Sequence, residues 1–145
     1  MYTTQDYGIL LLRVTLGVMF IAHGLLKVLV FTVPGTVQFF EAQGFPGVLA
    51  YLIIAAEIGG GALLVLGVYT RWVALALVPI LLGALNVHWP NGWVFSTPNG
   101  GWEYPAFLVI ATLVQSLLGG GALALKEPPS RSRILNASII QQAHS

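Results

Sequence analysis

Cysteine is absent from the 145-residue chain, and charged residues make up only 8% of it. The lack of cysteine excludes a disulfide framework, thiolate metal ligands and dithiol redox chemistry carried by this chain alone. The scarcity of charge is more informative, because an ordinary soluble domain has about 25% charged residues. With 57% hydrophobic residues, the chain has too few polar side chains to cover a soluble surface. We therefore expect lipid to be its solvent.

The apolar residues fall into four blocks, at about residues 7–31, 47–68, 72–87 and 104–125. Each block is about long enough to cross a hydrocarbon core ~30 Å thick as a helix. The pattern predicts an all-α fold, a polytopic membrane four-helix bundle forming one domain over residues 1–125. A polar C-terminal tail is predicted over residues 126–145, and a short amphipathic helix at the membrane surface over residues 36–42.

Basic residues flank the predicted helices on one side: Arg71, Lys126, Arg131 and Arg133. The two connections on the other side, residues 32–46 and 89–102, contain neither lysine nor arginine. Because lysine and arginine are enriched in cytoplasmic connections, we expect both termini to be cytoplasmic. The predicted location is the bacterial inner (cytoplasmic) membrane, as a multi-pass protein.

Ionisable residues lie inside the predicted spans, where each costs about 2.5–3.5 kcal/mol near the centre of a helix. Arg13, His23 and Lys27 share one face of the first helix, and Glu57 is close to the middle of the second. Such residues are usually kept because they pair, line a cavity or act. We predict a buried ion pair between Arg13 and Glu57. In the alternative interpretation, this pair is purely structural and fixes the register of the helices.

A second polar group is expected near the non-cytoplasmic surface, beside a tryptophan-rich connection. The candidate ligand-binding residues are His23, Lys27, Asn86, His88, Asn91, Trp93 and Glu103. Histidine titrates near neutral pH, so the group could hydrogen-bond a quinone head group or line an entrance for a small polar solute. In the alternative interpretation, His88 and Asn91 cap the third helix and shape the connection. No histidine spacing indicates zinc, and no metal is expected.

Short motifs follow one another in a recognisable order along residues 10–125. They are Leu12-Arg13 with Phe20, His23-Gly24 with Lys27, Glu57-x-Gly59-Gly60, Gly67-x-x-Thr70-Arg71, His88-x-Pro90-Asn91-Gly92-Trp93 and Gly101-x-Glu103-Tyr104. In this ordered set the chain resembles the DoxX family of small four-helix bacterial membrane proteins. Trp93 is a departure, since the family often has phenylalanine there.

The resemblance implies a quinone-interacting or membrane-anchoring component of an oxidoreductase system, because the family is named after a membrane subunit of an archaeal thiosulfate:quinone oxidoreductase. As an enzyme, the chain would be at most such a membrane subunit. Lys27, His88 and Glu103 would then hold or protonate the head group. A small-solute or proton-coupled permease and a non-catalytic membrane scaffold stay open as alternatives.

The residues and the resemblance together indicate the expected partners and cofactors. No intrinsic cofactor is expected, and a quinone is the candidate for a bound one. The lipid bilayer is the expected surrounding, with a redox partner subunit or further copies of this chain in a homo-oligomer as candidate protein partners. No nucleic-acid partner is expected.

Overall fold

The computed structural model describes residues 1–127, and the ordered elements in this range are helical. They are α1 (Thr4–Leu29), α2 (Val33–Ala42), α3 (Val48–Leu66), α4 (Thr70–His88), a 3-10 turn (Trp89–Asn91) and α5 (Glu103–Leu118). The described range contains no β-strand, apart from one isolated bridge between Val68 and Lys126. The all-α prediction is confirmed. Of the predicted polar tail, residues 128–145 lie outside the described residues.

Three of the helices are long and apolar enough to cross a membrane: α1, α3, and α4 together with the 3-10 turn. With 26 residues, α1 is about 39 Å long, and the 19 residues of α3 give about 28 Å. Helix α5 is also apolar but has 16 residues, or about 24 Å. Length and composition therefore identify three candidate spans.

The prediction that the last helix continues to residue 125 is wrong, because α5 ends at Leu118. Gly119 and Gly121 take positive φ angles of 84° and 67°, which glycine adopts without the steric cost of a Cβ atom. The chain then turns back across the ends of α3 and α4. We call residues 119–127 the closing segment.

Backbone hydrogen bonds fix the closing segment to the turn between α3 and α4. The Leu125 amide donates to the Leu66 carbonyl at 3.2 Å, and the Lys126 amide to the Gly67 carbonyl at 3.1 Å. The Tyr69 amide donates in return to the Lys126 carbonyl at 2.8 Å. This end of the molecule, where α1 begins and α5 ends, is called the closed end. The opposite end of the molecule, called the loop end, contains α2 and residues 89–102. We call residues 89–102 the tryptophan loop.

The long helices associate as two close pairs, α1 with α3 and α4 with α5. Helices α1 and α3 run antiparallel, so that Gly17 faces Gly61 and Gly24 faces Glu57. A Cβ atom at Gly17 would lie only 2.7 Å from the Gly61 carbonyl oxygen, which shows how closely the backbones approach. Apolar side chains between the pairs form the core: Leu16, Phe20, Leu64, Leu77, Leu81 and Leu108.

The short helix predicted over residues 36–42 is confirmed as α2, which begins slightly earlier, at Val33. Pro34 stands in its first turn, where the missing amide proton costs no helical hydrogen bond. The buried Thr36 hydroxyl donates to the Lys27 carbonyl, at 3.0 Å, or to the Thr32 carbonyl, at 2.9 Å. Helix α2 is thereby attached to the end of α1.

Candidate functional site

Glu57 pairs with Lys27, and the predicted ion pair between Arg13 and Glu57 is wrong. The Lys27 Nζ atom lies 2.8 Å from both carboxylate oxygens of Glu57. The physical reason is the register of α1 on α3: Gly24 contacts Glu57, so Lys27 lies one helical turn beyond it and can reach back. Arg13 lies about three turns away, level with Gly67. The exposed fraction is 20% for the Lys27 side chain and 6% for that of Glu57.

Arg13 instead holds the closing segment. Its side chain is buried, with Nη1 donating to the Gly120 carbonyl at 2.8 Å and Nη2 to the Ala122 carbonyl at 3.4 Å. Gly67, where α3 ends, stands against the guanidinium, and a side chain there would collide with it. Arg13 therefore joins α1, the α3–α4 turn and the closing segment.

His23 lies one turn before Lys27 on α1 and faces α5. Its Nδ1 atom is 2.8 Å from the Met19 carbonyl oxygen. A carbonyl only accepts, so Nδ1 carries the proton in this contact. The His23 and Tyr104 rings are nearly parallel, at 26°, with centroids 6.3 Å apart. Together they form an aromatic surface between α1 and α5.

His88 and Asn91 both bind backbone carbonyls of the tryptophan loop. The His88 Nδ1 atom lies 3.1 Å from the Gly100 oxygen. The Asn91 amide donates to the same oxygen at 2.9 Å and to the Asn99 oxygen at 3.2 Å. These contacts support the loop-shaping interpretation of the two side chains.

Glu103 has a similar role at the start of α5. Its Oε1 atom accepts from the Phe95 amide at 2.9 Å, while its own amide donates to the Trp93 carbonyl at 3.0 Å. Trp102 packs against Trp89 and Trp93, with ring centroids 4.7 and 4.4 Å apart. The tryptophan loop is thus a compact, internally bonded unit.

The seven predicted ligand-binding residues therefore fall into separate groups. His23 and Lys27 share a face of α1, whereas His88, Asn91 and Glu103 are bonded within the tryptophan loop. The other two, Asn86 and Trp93, have exposed side chains. Within residues 1–127, no cluster of three or more His, Cys, Asp or Glu side chains is suited to a metal ion.

Sequence analysis left Tyr104 out of the candidate set, although it contacts His23. It also missed Thr112 and Gln115, two fully buried polar residues of α5. Their spacing of three residues places them on one helical face. This spacing was the feature of the sequence from which a shared buried position could have been predicted.

Comparison with known proteins agrees with this architecture. The sequence profile of the DoxX family matches residues 8–89. The chain is 36% identical to "Putative oxidoreductase CatD" of Bacillus subtilis (strain 168) over 121 residues, covering 83% of this chain and 85% of that protein. It is 38% identical to "Inner membrane protein YqjF" of Escherichia coli (strain K12) over 71 residues, covering 49% of this chain and 53% of the relative.

No solved structure matches the chain significantly. The family assignment rests on sequence, since the profile spans nearly all of α1 and the whole of α2, α3 and α4. The similarity to CatD extends it over most of the length of both proteins. The chain belongs to the DoxX family.

Proposed function

We propose that this protein is a multi-pass inner-membrane component of an oxidoreductase system and that it interacts with a quinone. The three long apolar helices support the membrane assignment. The names of the two relatives, "Putative oxidoreductase CatD" and "Inner membrane protein YqjF", favour this location and this class of system. Quinones reside in the same lipid phase as the helices.

The proposed topology has α5 as a fourth span, completing a four-helix bundle with the closed end in the cytoplasm. Exposed Arg71 and Lys126 lie at the closed end. At the loop end, residues 32–46 and 89–102 contain no lysine or arginine. The exposed Trp89 and Trp93 at the loop end suit the opposite interface, where tryptophan is enriched.

The observation that carries the quinone proposal is the position of Lys27 and His23 one helical turn apart on α1, with the His23 ring against Tyr104 of α5. A lysine ammonium has three N–H donors, and two of those of Lys27 point to Glu57. The side chain is partly exposed, so its third donor is available to a ligand. His23 Nε2 lies on the same face of α1, and the His23 and Tyr104 rings offer a flat surface on which a planar head group can stack.

These residues fit the chemical needs of a quinone head group, which supplies two-electron, two-proton redox chemistry when bound. Lys27 would donate a hydrogen bond to one carbonyl oxygen of the head group. His23 would hold or release a proton at Nε2. Glu57 would hold the Lys27 ammonium in place through both of its carboxylate oxygens. The reducing equivalents would come from a partner oxidoreductase subunit.

Mass spectrometry of quinones retained by the gently purified protein tests the proposal. We would compare the wild type with His23→Ala and with His88→Ala as the matched control. The wild type and His88→Ala are expected to retain quinone at several times its ratio to bulk lipid. His23→Ala is expected to lose this enrichment.

Two results would contradict the proposal. Loss of quinone in His88→Ala but not in His23→Ala would move the site to the tryptophan loop. Equal quinone-to-lipid ratios in all three proteins and in the bulk membrane would remove quinone binding altogether.

A proton-coupled or small-solute permease is the second candidate, favoured by the buried position of Glu57 near the middle of α3. Intramembrane carboxylates often belong to proton or solute pathways. Proteoliposomes with wild-type protein or Glu57→Gln would test it. A pH-driven solute flux that disappears in the variant would favour this candidate over the quinone proposal.

A further inference from the structure

Two exposed cations stand at the closed end, where the closing segment meets the first turn of α4. Arg71 belongs to that turn, and a Cβ atom added at Gly119 would lie 3.0 Å from its Nε atom. Lys126 reaches the turn from the other end of the closing segment, because its carbonyl accepts the Tyr69 amide at 2.8 Å. The Lys126 Nζ atom lies 5.2 Å from the centroid of the Tyr69 ring. Both cations therefore flank the start of α4.

Neither cation forms a salt bridge within residues 1–127, where Lys27 and Glu57 make the single one. The chain has five acidic residues, all of them before residue 128. Apart from Glu57, they stand at the starts of helices: Asp6 at α1, Glu41 at α3, Glu127 at α4 and Glu103 at α5. The Glu127 carboxylate accepts the Thr70 amide at 2.7 Å and attracts the buried Arg13 charge. The charges of Arg71 and Lys126 are thus not neutralised by an ion pair in this range.

Most hydrogen-bond donors of the two side chains are available as well. A guanidinium has five N–H donors and an ammonium has three. Arg71 uses one of them, in a long contact of 3.5 Å with the Leu118 carbonyl. Lys126 lies over the face of the Tyr69 ring. Such a set of charged donors suits an oxyanion with several acceptor oxygens, and phosphate is the typical biological example.

The surroundings of the two cations favour a lipid over a dissolved ion. Trp72, which follows Arg71, is 66% exposed, and Leu125, which precedes Lys126, is 71% exposed. Tryptophan is enriched at the level of the lipid head groups, and arginine and lysine near helix ends extend to the same level. A head-group phosphate would contact the cations while the acyl chains cover Trp72 and Leu125. Inorganic phosphate would leave these apolar side chains uncovered.

We propose that Arg71 and Lys126 at the start of α4 bind the phosphate of an anionic phospholipid such as phosphatidylglycerol. A zwitterionic phospholipid also has a phosphate, but its ammonium group would be repelled by the two cations. The surface lies at the closed end, away from the proposed quinone site. Lipid binding there is measured without quinone, so the two proposals succeed or fail separately.

Native mass spectrometry of the detergent-solubilised protein tests the proposal. The wild type would be titrated with phosphatidylglycerol and with phosphatidylcholine of the same acyl chains. Each cation near an anionic surface is worth about a fivefold change in affinity, so phosphatidylglycerol should bind about 25-fold more tightly. In Arg71→Gln/Lys126→Gln this preference should largely disappear. Equal affinities of the wild type for the two lipids would overturn the proposal.

Arg131→Gln/Arg133→Gln is the matched control, because it removes the same charge at another place in the sequence. It should keep the preference for phosphatidylglycerol. An equal loss in the two double variants would mean that binding follows net charge alone, which contradicts a surface at α4. Displacement of the lipid by millimolar inorganic phosphate would identify a site for a free anion and would also contradict the proposal.

A second measurement uses the wild type alone and does not depend on a variant folding. The affinity for phosphatidylglycerol should fall as sodium chloride is raised, because salt screens exposed charges. The affinity for phosphatidylcholine should change little. An affinity for phosphatidylglycerol that is insensitive to salt would show that apolar contacts alone hold the lipid, against the proposed role of the two cations.

Discussion

The Lys27 ammonium lies 2.8 Å from each carboxylate oxygen of Glu57, and this contact joins α1 to α3. The two opposite charges face each other between two predominantly apolar helices. A buried pair of this kind contributes little net stability, because desolvation offsets most of the attraction. Removing one partner is different, since the other charge is then left unpaired in a medium of low dielectric.

Glu57→Ala should therefore lower the free energy of unfolding by about 2–4 kcal/mol. Because Lys27 is partly exposed, this loss should be smaller than that for a fully buried pair. The double variant Lys27→Met/Glu57→Leu should recover most of this loss, because it buries no charge. Reversible unfolding in mixed micelles, measured for Lys27→Met, Glu57→Leu and the double variant, gives the coupling free energy. Additive losses in the double variant would show that the two side chains are not coupled.

The close approach of α1 and α3 at Gly17 and Gly61 predicts a strong effect of one added methyl group. A Cβ atom at Gly61 would lie 2.6 Å from the Gly17 carbonyl oxygen, so the helices would have to move apart. We expect Gly61→Ala to cost about 1–3 kcal/mol in the same unfolding assay.

Gly59, two residues earlier in the same helix, is the matched control. A Cβ atom there meets nothing within 4 Å. Gly59→Ala should be neutral or stabilising by about 0.5–1 kcal/mol, because alanine is the better helix former. Similar losses in both alanine variants would argue against the tight contact.

Arg13→Lys should loosen the closing segment while leaving the helices in place. Arginine bonds two carbonyls, of Gly120 and Ala122, and a lysine ammonium cannot reproduce this forked geometry. Hydrogen–deuterium exchange should become about tenfold faster at the Ala122, Leu125 and Lys126 amides. Arg71→Lys is the control, since Arg71 is exposed and makes one contact of 3.5 Å with the Leu118 carbonyl. Unchanged exchange in Arg13→Lys would mean that the backbone bonds hold the segment alone.

Asn91→Ala should disturb the tryptophan loop, because it removes the amide that binds the Asn99 and Gly100 carbonyls. The stacked Trp89 and Trp102 rings should then give a weaker near-ultraviolet circular dichroism signal. Asn86→Ala, at an exposed position of α4, should keep the wild-type spectrum. Identical spectra for the two variants would assign the order of the loop to the backbone and the tryptophan packing.

Hydropathy was sufficient to predict the long apolar helices. It was not sufficient for the segment after α5, where the same short sequence is compatible with two conformations. The pentapeptide Gly-Gly-Gly-Ala-Leu occurs at residues 59–63 and again at residues 119–123. The first copy is helical within α3, whereas the second begins the closing segment with positive φ angles. Arg13 of α1 binds the Gly120 and Ala122 carbonyls in the second copy, and this is a tertiary contact. No local pattern contains that information.

The charged residues inside the spans could be predicted from the sequence, but the partner of each one could not. Glu57, Lys27 and Arg13 were all identified as costly charges inside spans, and all three are held by specific contacts. Their pairing depends on how far α1 slides along α3, and the contact of Gly24 with Glu57 fixes that register. Helical periodicity gives the face of a residue but not its depth relative to a neighbouring helix.

The apolar core, with Leu16, Phe20 and Leu64 at its centre, separates Arg13 at the closed end from the Lys27–Glu57 pair. In the proposed topology this layer would lie between the cytoplasm and the pair, so part of the membrane voltage would fall across it. Moving one elementary charge through 100 mV changes its energy by about 2.3 kcal/mol. In that topology a proton that reached Glu57 from the cytoplasm would have to cross this layer. Proton exchange at the pair from that side would then depend on the membrane voltage.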